Sequence, residues 1–151
     1  MTMPDGPDVV DLDIRFPARP EYVRTVRHAV AALARLHGAD EDAVEDIKLG
    51  VSEACTTAVL ATAEAGPEPV DVTAQASEPH HLLVSVLDRG AHVEREVAGP
   101  PDEISTEELP FERALSLPIV RGLVEEVAVR PRAGGGATME MRFSLRSGQE
   151  G

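Results

Sequence analysis

Apolar and polar residues alternate singly from Val9 to Phe16, with Val10, Leu12, Ile14 and Phe16 on one side and Asp11, Asp13 and Arg15 on the other. A period of two predicts a strand with one wet face. Pro17 and Pro20 end it, and Pro20-Glu21 offers a helix start with an acid in the first turn. The period then changes: Tyr22/Val23, Val26, Ala29/Val30, Leu33 and Leu36 trace a helical stripe that stops at Gly38, a suitable residue just past a helix end. Asp40 is placed to cap the next helix, whose first turn is loaded with acid over Glu41 to Glu45, as its dipole prefers. That helix is predicted from Asp42 to about Ala65, with Val44, Ile47, Val51, Ala54/Cys55, Ala58 and Ala61 facing a core. Glu53 and Thr57 stand four apart and so share one face of it. A lone Glu at such a position ordinarily edges the apolar stripe and meets solvent.

Gly66-Pro67 closes the central helix, and strands are predicted over Val70 to Ala76 and Leu82 to Leu87, joined as an antiparallel hairpin by a turn at Ser77 to Pro79. His80 and His81 fall at that turn, where they read as solvent-exposed, with no third residue at a useful metal-ligand spacing. Ala91 to Glu112 breaks the pattern, with three prolines and seven acids (Glu94, Glu96, Asp102, Glu103, Glu107, Glu108, Glu112) and no sustained period, and reads as a long lid-like loop. A helix is predicted from Phe111 to Val127 on the spacing of Leu115, Ile119/Val120, Leu123 and Val127. Val127 to Arg132 and Ala137 to Leu145 then form a second hairpin about the turn Gly134 to Gly136. Strands and helices that do not strictly alternate predict an α+β fold: a two-layer sandwich of a mostly antiparallel, mixed sheet with helices on one face.

A chain of 151 residues makes one domain, here residues 9–146, with loose tails at 1–8 and 147–151. The net charge of −13, with no basic patch evident along the chain, disfavours nucleic acid and anionic membranes as partners. No long apolar run and no leader-like N-terminus is present, which places the chain in the cytoplasm. Cys55, the lone cysteine, leaves no intrachain disulfide and reads as a small buried residue.

Three segments in order carry a more specific signal: Val51-Ser-Glu-Ala-Cys-Thr-Thr-Ala-Val59, Val86-Leu-Asp-Arg-Gly90, and Leu117-Pro-Ile-Val-Arg-Gly-Leu-Val-Glu-Glu-Val127. Together they resemble the serine-kinase anti-sigma factors of the RsbW and SpoIIAB type, within the histidine-kinase-like ATPases that share the Bergerat (GHKL) fold. The resemblance runs from about residue 9 to about residue 146 and implies that fold for the whole domain.

In that family the helix carries Glu-x-x-x-Asn, the Glu as general base on a substrate serine and the Asn as ligand to magnesium. The resemblance places Glu53 as the remnant base and Thr57 where the Asn would stand, with a side chain one bond shorter. The family's Asp-x-Gly-x-Gly, which holds adenine, matches at Asp88 and Gly90, and His92 replaces the second glycine. By itself an Asp-x-Gly that ends a strand is most often only a turn. The family's phosphate cradle, Gly-x-Gly-(Leu/Phe), reads Ala114-Leu115-Ser116-Leu117, without the glycines that allow backbone to approach phosphate. All these departures fall on nucleotide and metal contacts, so the expectation is a kept scaffold with reduced or lost ATP chemistry, no cofactor and no metal. The resemblance then implies an anti-sigma factor that sequesters a sigma factor, is relieved by a STAS-type antagonist protein, and forms a homodimer. Two alternatives stay open: an active ATP- and magnesium-dependent serine-protein kinase acting on the antagonist, and a decoy module that binds only the antagonist.

Overall fold

The computed structural model describes residues 10–90, 96–99, 120 and 122–146. Strand β1 spans Leu12–Pro17 and is followed by a 3-10 turn over Pro20–Tyr22, helix α1 over Val23–Leu36 and helix α2 over Glu41–Ala65. Then come β2 (Pro69–Ser77), β3 (His81–Leu87), β4 (Val97–Gly99), β5 (Glu126–Pro131) and β6 (Ala137–Ser144). The strands form one sheet in the order β1-β2-β3-β6-β5-β4. Every pairing is antiparallel, so the mixed sheet expected from the sequence is purely antiparallel among the described residues.

Register explains how alternation becomes a core. Ile14 lies opposite Val72, Val72 opposite Val86, Val86 opposite Met139 and Met139 opposite Val129, giving one apolar row across five strands. A second row runs through Ala74, Val84, Met141 and Val127. Both rows face the helices, because strand side chains repeat every two residues and these all share parity with the buried set. Helix α1 contributes Val23, Val26, Val30, Ala31 and Ala34, and α2 contributes Val44, Ile47, Val51, Ala54, Cys55, Ala58 and Ala61. Burial pushes the Cys55 thiol up to about 12, so it sits in this layer as an uncharged apolar group.

The ends of α2 follow their chemistry. The Asp40 carboxylate accepts from the Ala43 N–H at 2.8 Å, as the N-cap expectation requires. Gly38, at φ +88, makes the left-handed turn out of α1, and the Asp40 N–H donates to the Leu145 carbonyl, tying the helix junction to the end of β6. The middle of α2 is held closer to the sheet than an ordinary helix could be. A Cβ at Gly50 would stand 2.7 and 2.8 Å from the ring of Phe143, a fully buried side chain of β6.

Several expectations are corrected. Leu36 is 78% exposed, and Ala31 and Ala34 take the buried places instead, since small residues let α1 lie close to α2 while the last turn overhangs the core. The helix expected to reach Val127 has ended before residues 122–125, which form a turn, and β5 starts at Glu126. Leu123 and Val127 are four apart and both apolar, but one packs from a turn and the other from a strand, so their spacing imitates a helical stripe. Within the expected lid, Val97–Gly99 pairs with β5 as an edge strand, too short to show a period. The rest of that lid, the helix over 111–119 and both tails lie outside the described residues. His81 is no turn residue: it belongs to β3, with Nε2 2.6 Å from Glu125 Oε2 and Nδ1 3.4 Å from the Arg142 guanidinium. Among the described residues no helix is long and apolar enough to cross a membrane.

The Gly50–Phe143 contact sets a clear expectation. Ala is the better helix former by about 1 kcal/mol, but overpacking a filled core costs about 1–3 kcal/mol, so Gly50→Ala should destabilise by up to about 2 kcal/mol net. Urea denaturation checks this, and an unchanged or raised midpoint would show that Phe143 can yield.

Candidate functional site

Residues Glu53, Thr57 and Ala61 follow one another at four-residue steps along α2 and so share a face. Ala61 meets the turn that ends β3. A Cβ at Gly90 would collide with the Ala61 backbone carbonyl, so the bare Cα of this glycine serves close packing on the helix. Thr57, one helical turn earlier, is 5% exposed. Glu53 is half-buried, a further turn back and so about 12 Å along the helix axis from Ala61 at 1.5 Å per residue. It makes no ion pair or side-chain hydrogen bond among the described residues. The fold thus sets Gly90 against Ala61 in the C-terminal half of α2, with Thr57 one helical turn before that contact, and leaves Glu53 toward the middle of the helix.

Asp88 is 1% exposed and its backbone is built into the sheet, with its N–H donating to the Ala137 carbonyl at 2.9 Å. Its Oδ1 accepts from the Gly90 N–H at 3.0 Å, closing a local Asx turn. The residue between them fastens this turn. The Arg89 N–H donates to Thr62 Oγ1 at 3.0 Å, while its guanidinium donates to the Pro69 carbonyl and to Asp71 Oδ2, each at 2.7 Å. Asp71 also receives Arg15 Nε at 2.7 Å. Burial alone would raise the Asp71 carboxyl, but the hydrogen bonds and charges of Arg15 and Arg89 together hold it below the ordinary carboxylate range.

A third element closes on the same turn. Gly134, Gly135 and Gly136 all have positive φ, and a Cβ at Gly136 would collide with the Asp88 carbonyl oxygen. The β5–β6 hairpin therefore packs its tip against the Asp88-Arg89-Gly90 turn. Thr62 and Asp71 were not singled out from the sequence, and Arg89 and Gly136 were named only as members of a matching segment and of a turn. Only the three consecutive glycines, more than a tight hairpin needs, hinted at a close approach.

As for a metal, Thr57 supplies one nearly buried hydroxyl, and no group of three or more His, Cys, Asp or Glu side chains converges among the described residues. His92, Ala114 and Ser116 lie outside the described residues.

A family model described as the histidine kinase-like ATPase domain matches residues 16–143. This chain belongs to that family. Among its curated relatives, serine-protein kinase RsbW of Bacillus licheniformis is 31% identical over 132 residues, covering 82% of this chain and 79% of the relative. The protein of the same name from Bacillus subtilis (strain 168) is 32% identical over 128 residues, with 82% and 79% covered. The chain is thus of the RsbW type, as its three sequence segments imply. Two solved structures share the fold. One holds the RsbU and RsbW domains of a Mycobacterium tuberculosis protein, with a TM-score of 0.65, 22% identity, 88% of this chain and 32% of that chain covered. The other is the SiaB–SiaC complex of Pseudomonas aeruginosa, with a TM-score of 0.65, 13% identity and 89% of each chain covered.

The Arg15–Asp71–Arg89 network predicts a pH dependence whose sign follows from the lowered carboxyl. A group depressed in the folded state contributes stability above its unfolded value, about 3.9, and loses it as pH falls toward the folded value. Asp71→Asn should therefore lower the melting temperature at pH 7, and the gap from wild type should narrow below about pH 4. Thermal melts at pH 7, 5 and 3 test this; a constant gap would exclude the ionised carboxylate as its source.

Proposed function

We propose that this chain is an anti-sigma factor that holds its sigma factor by direct binding, with reduced or lost ATP chemistry, and is relieved by an antagonist protein. The observation that carries the reading is Thr57, nearly buried at the α2 position where kinases of this family bear the magnesium-holding Asn. Its hydroxyl cannot extend as far as a carboxamide, and His92, Ala114 and Ser116 replace glycines at further nucleotide contacts. Binding is the family property that these substitutions leave intact. The net charge of −13 supports it, because a sigma factor exposes basic surface for promoter DNA. On this reading Asp88 and Gly90 are retained chiefly as a packed turn, and release comes from competition rather than from phosphoryl transfer by this chain.

A specific observation favours the second reading, an active serine-protein kinase: Glu53 is kept, it has no partner that would occupy its carboxylate among the described residues, and the curated relatives carry that name. In that case Glu53 accepts the proton of the substrate hydroxyl, Asp88 holds adenine, and the magnesium needs a ligand other than the family Asn.

Two measurements separate these readings. Calorimetry with magnesium-ATP should give a dissociation constant weaker than about 10 µM, some 7 kcal/mol of binding, and a tighter value would overturn the loss of nucleotide chemistry. In cells, Glu53→Ala should leave repression of the cognate sigma factor both intact and relievable. A folded variant locked onto its sigma factor would instead identify Glu53 as a working base.

A further inference from the structure

The face of the sheet turned away from the helices carries an open trough of about 380 Å3, lined by small residues such as Thr73 and Ser85 and by the charges of Glu126, Arg130, Glu140 and Arg142. Arg130 is committed there, meeting Glu140 at 2.6 Å and Glu96 at 3.2 Å. Arg142 is not. Its register partner on β5 is Glu126, an opposite charge directly across the strand pair. Yet among the described residues the Arg142 side chain donates to no carboxylate: its bond runs from a terminal guanidinium nitrogen to His81 Nδ1 at 3.4 Å, and its Nε is buried without a partner. The other nitrogen of that ring, Nε2, stands 2.6 Å from Glu125 Oε2. An arginine beside acids that spends its donor on an imidazole is held by the weaker of the acceptors within reach.

The donors fix the state of the ring. Arginine can only donate, so His81 Nδ1 carries a lone pair, and the ring proton sits on Nε2, where it is given to Glu125. Neutral His81 therefore satisfies both neighbours at once. Protonation keeps the bond to Glu125 but sets an N–H of one cation against another, in place of the acceptor that held the guanidinium. We propose that His81 is a proton-operated switch for Arg142: the neutral ring holds the guanidinium, and the protonated ring releases it to Glu126, which resets the charge pattern of the trough. Histidine is the side chain whose charge changes between about pH 5 and 8. The surrounding groups leave that one exchange open. The pairing partners of His81, Ser77 on β2 and Ser144 on β6, carry no charge, and Glu78 and His80 flank it in the preceding turn. Glu125 faces the ring in both states, and Glu140 is already bonded to Arg130, so Glu126 is the acceptor opposite Arg142. The Glu125 N–H donates to the Arg142 carbonyl at 2.8 Å, which fixes the backbone while the side chain changes partner.

NMR on the full-length chain labelled with nitrogen-15 and carbon-13 tests this. At about pH 8 the His81 ring should carry its proton on Nε2 and none on Nδ1. Between about pH 8 and 5 the Arg142 Nε and Cζ signals should shift with the same midpoint as the His81 ring. His81→Gln keeps a donor and an acceptor but no titrating charge, and should leave those signals flat over this range, whereas His80→Gln should leave their movement as in wild type. Glu126→Gln should cut the movement to about half or less, because a neutral amide attracts the released guanidinium less than a carboxylate does. The wild-type titration decides the matter alone if a variant does not fold. A proton on Nδ1 at the upper pH, a ring that stays neutral at the lower, or an Arg142 midpoint apart from that of His81 overturns the switch. So does movement that persists in folded His81→Gln, or that is undiminished in folded Glu126→Gln.

Discussion

The closeness of α2 to the sheet is the constraint on which the rest of the structure depends. Gly50 admits the Phe143 ring, and Gly90 lets the turn after β3 rest on the Ala61 backbone. Between them Ala54 and Ala58 keep the same face small. Larger residues at these points would push the helix outward and break the contact that sets the turn after β3 against Ala61 and Thr62. Burial of the sheet rows and position of the turn are thus consequences of one helix-to-sheet distance, fixed by residues that contribute almost no side chain.

Much of this was legible because it depends on period and capping. The alternation of β1, β2, β3 and β6, the Asp40 cap and the long stripe of α2 are local features, and local features survive into the fold. What stayed hidden depends on partners far away in sequence. Leu123 and Val127 obey helical spacing, yet pairing with β6 and β4 makes Val127 a strand residue. His81 looked like a turn residue until Glu125 and Arg142 were brought to it. In the site, Glu53, Thr57, Asp88 and Gly90 could be named from the resemblance. The clamp on them could not, because Arg89 finds Asp71 and Pro69 across the start of β2, and no spacing along the chain encodes that.

Charge tells a similar story at two scales. The total of −13 describes how the molecule meets a distant macromolecule, and it gave no sign that Arg27, Lys48, Arg24 and Arg35 act together on His28, whose charged form is disfavoured first by desolvation and then by them. On α1 Arg24, Arg27 and Arg35 recur at intervals that a helix turns to one side, and α2 adds Lys48. A negative net charge and a local cluster of cations can coexist because screening confines each interaction to about 8–10 Å at moderate salt.

The tip of a hairpin is usually where a chain tolerates insertions, since little depends on it. The tip at Gly134 to Gly136 is different, because Gly136 lies directly against the carbonyl of Asp88. Lengthening or stiffening that turn, as one would to graft a tag or an epitope, would press on the end of β3. Through Gly90 the pressure would reach α2 as well. Two loops separated by 46 positions, Gly90 to Gly136, therefore behave as one mechanical part, and neither is free to vary in length without the other.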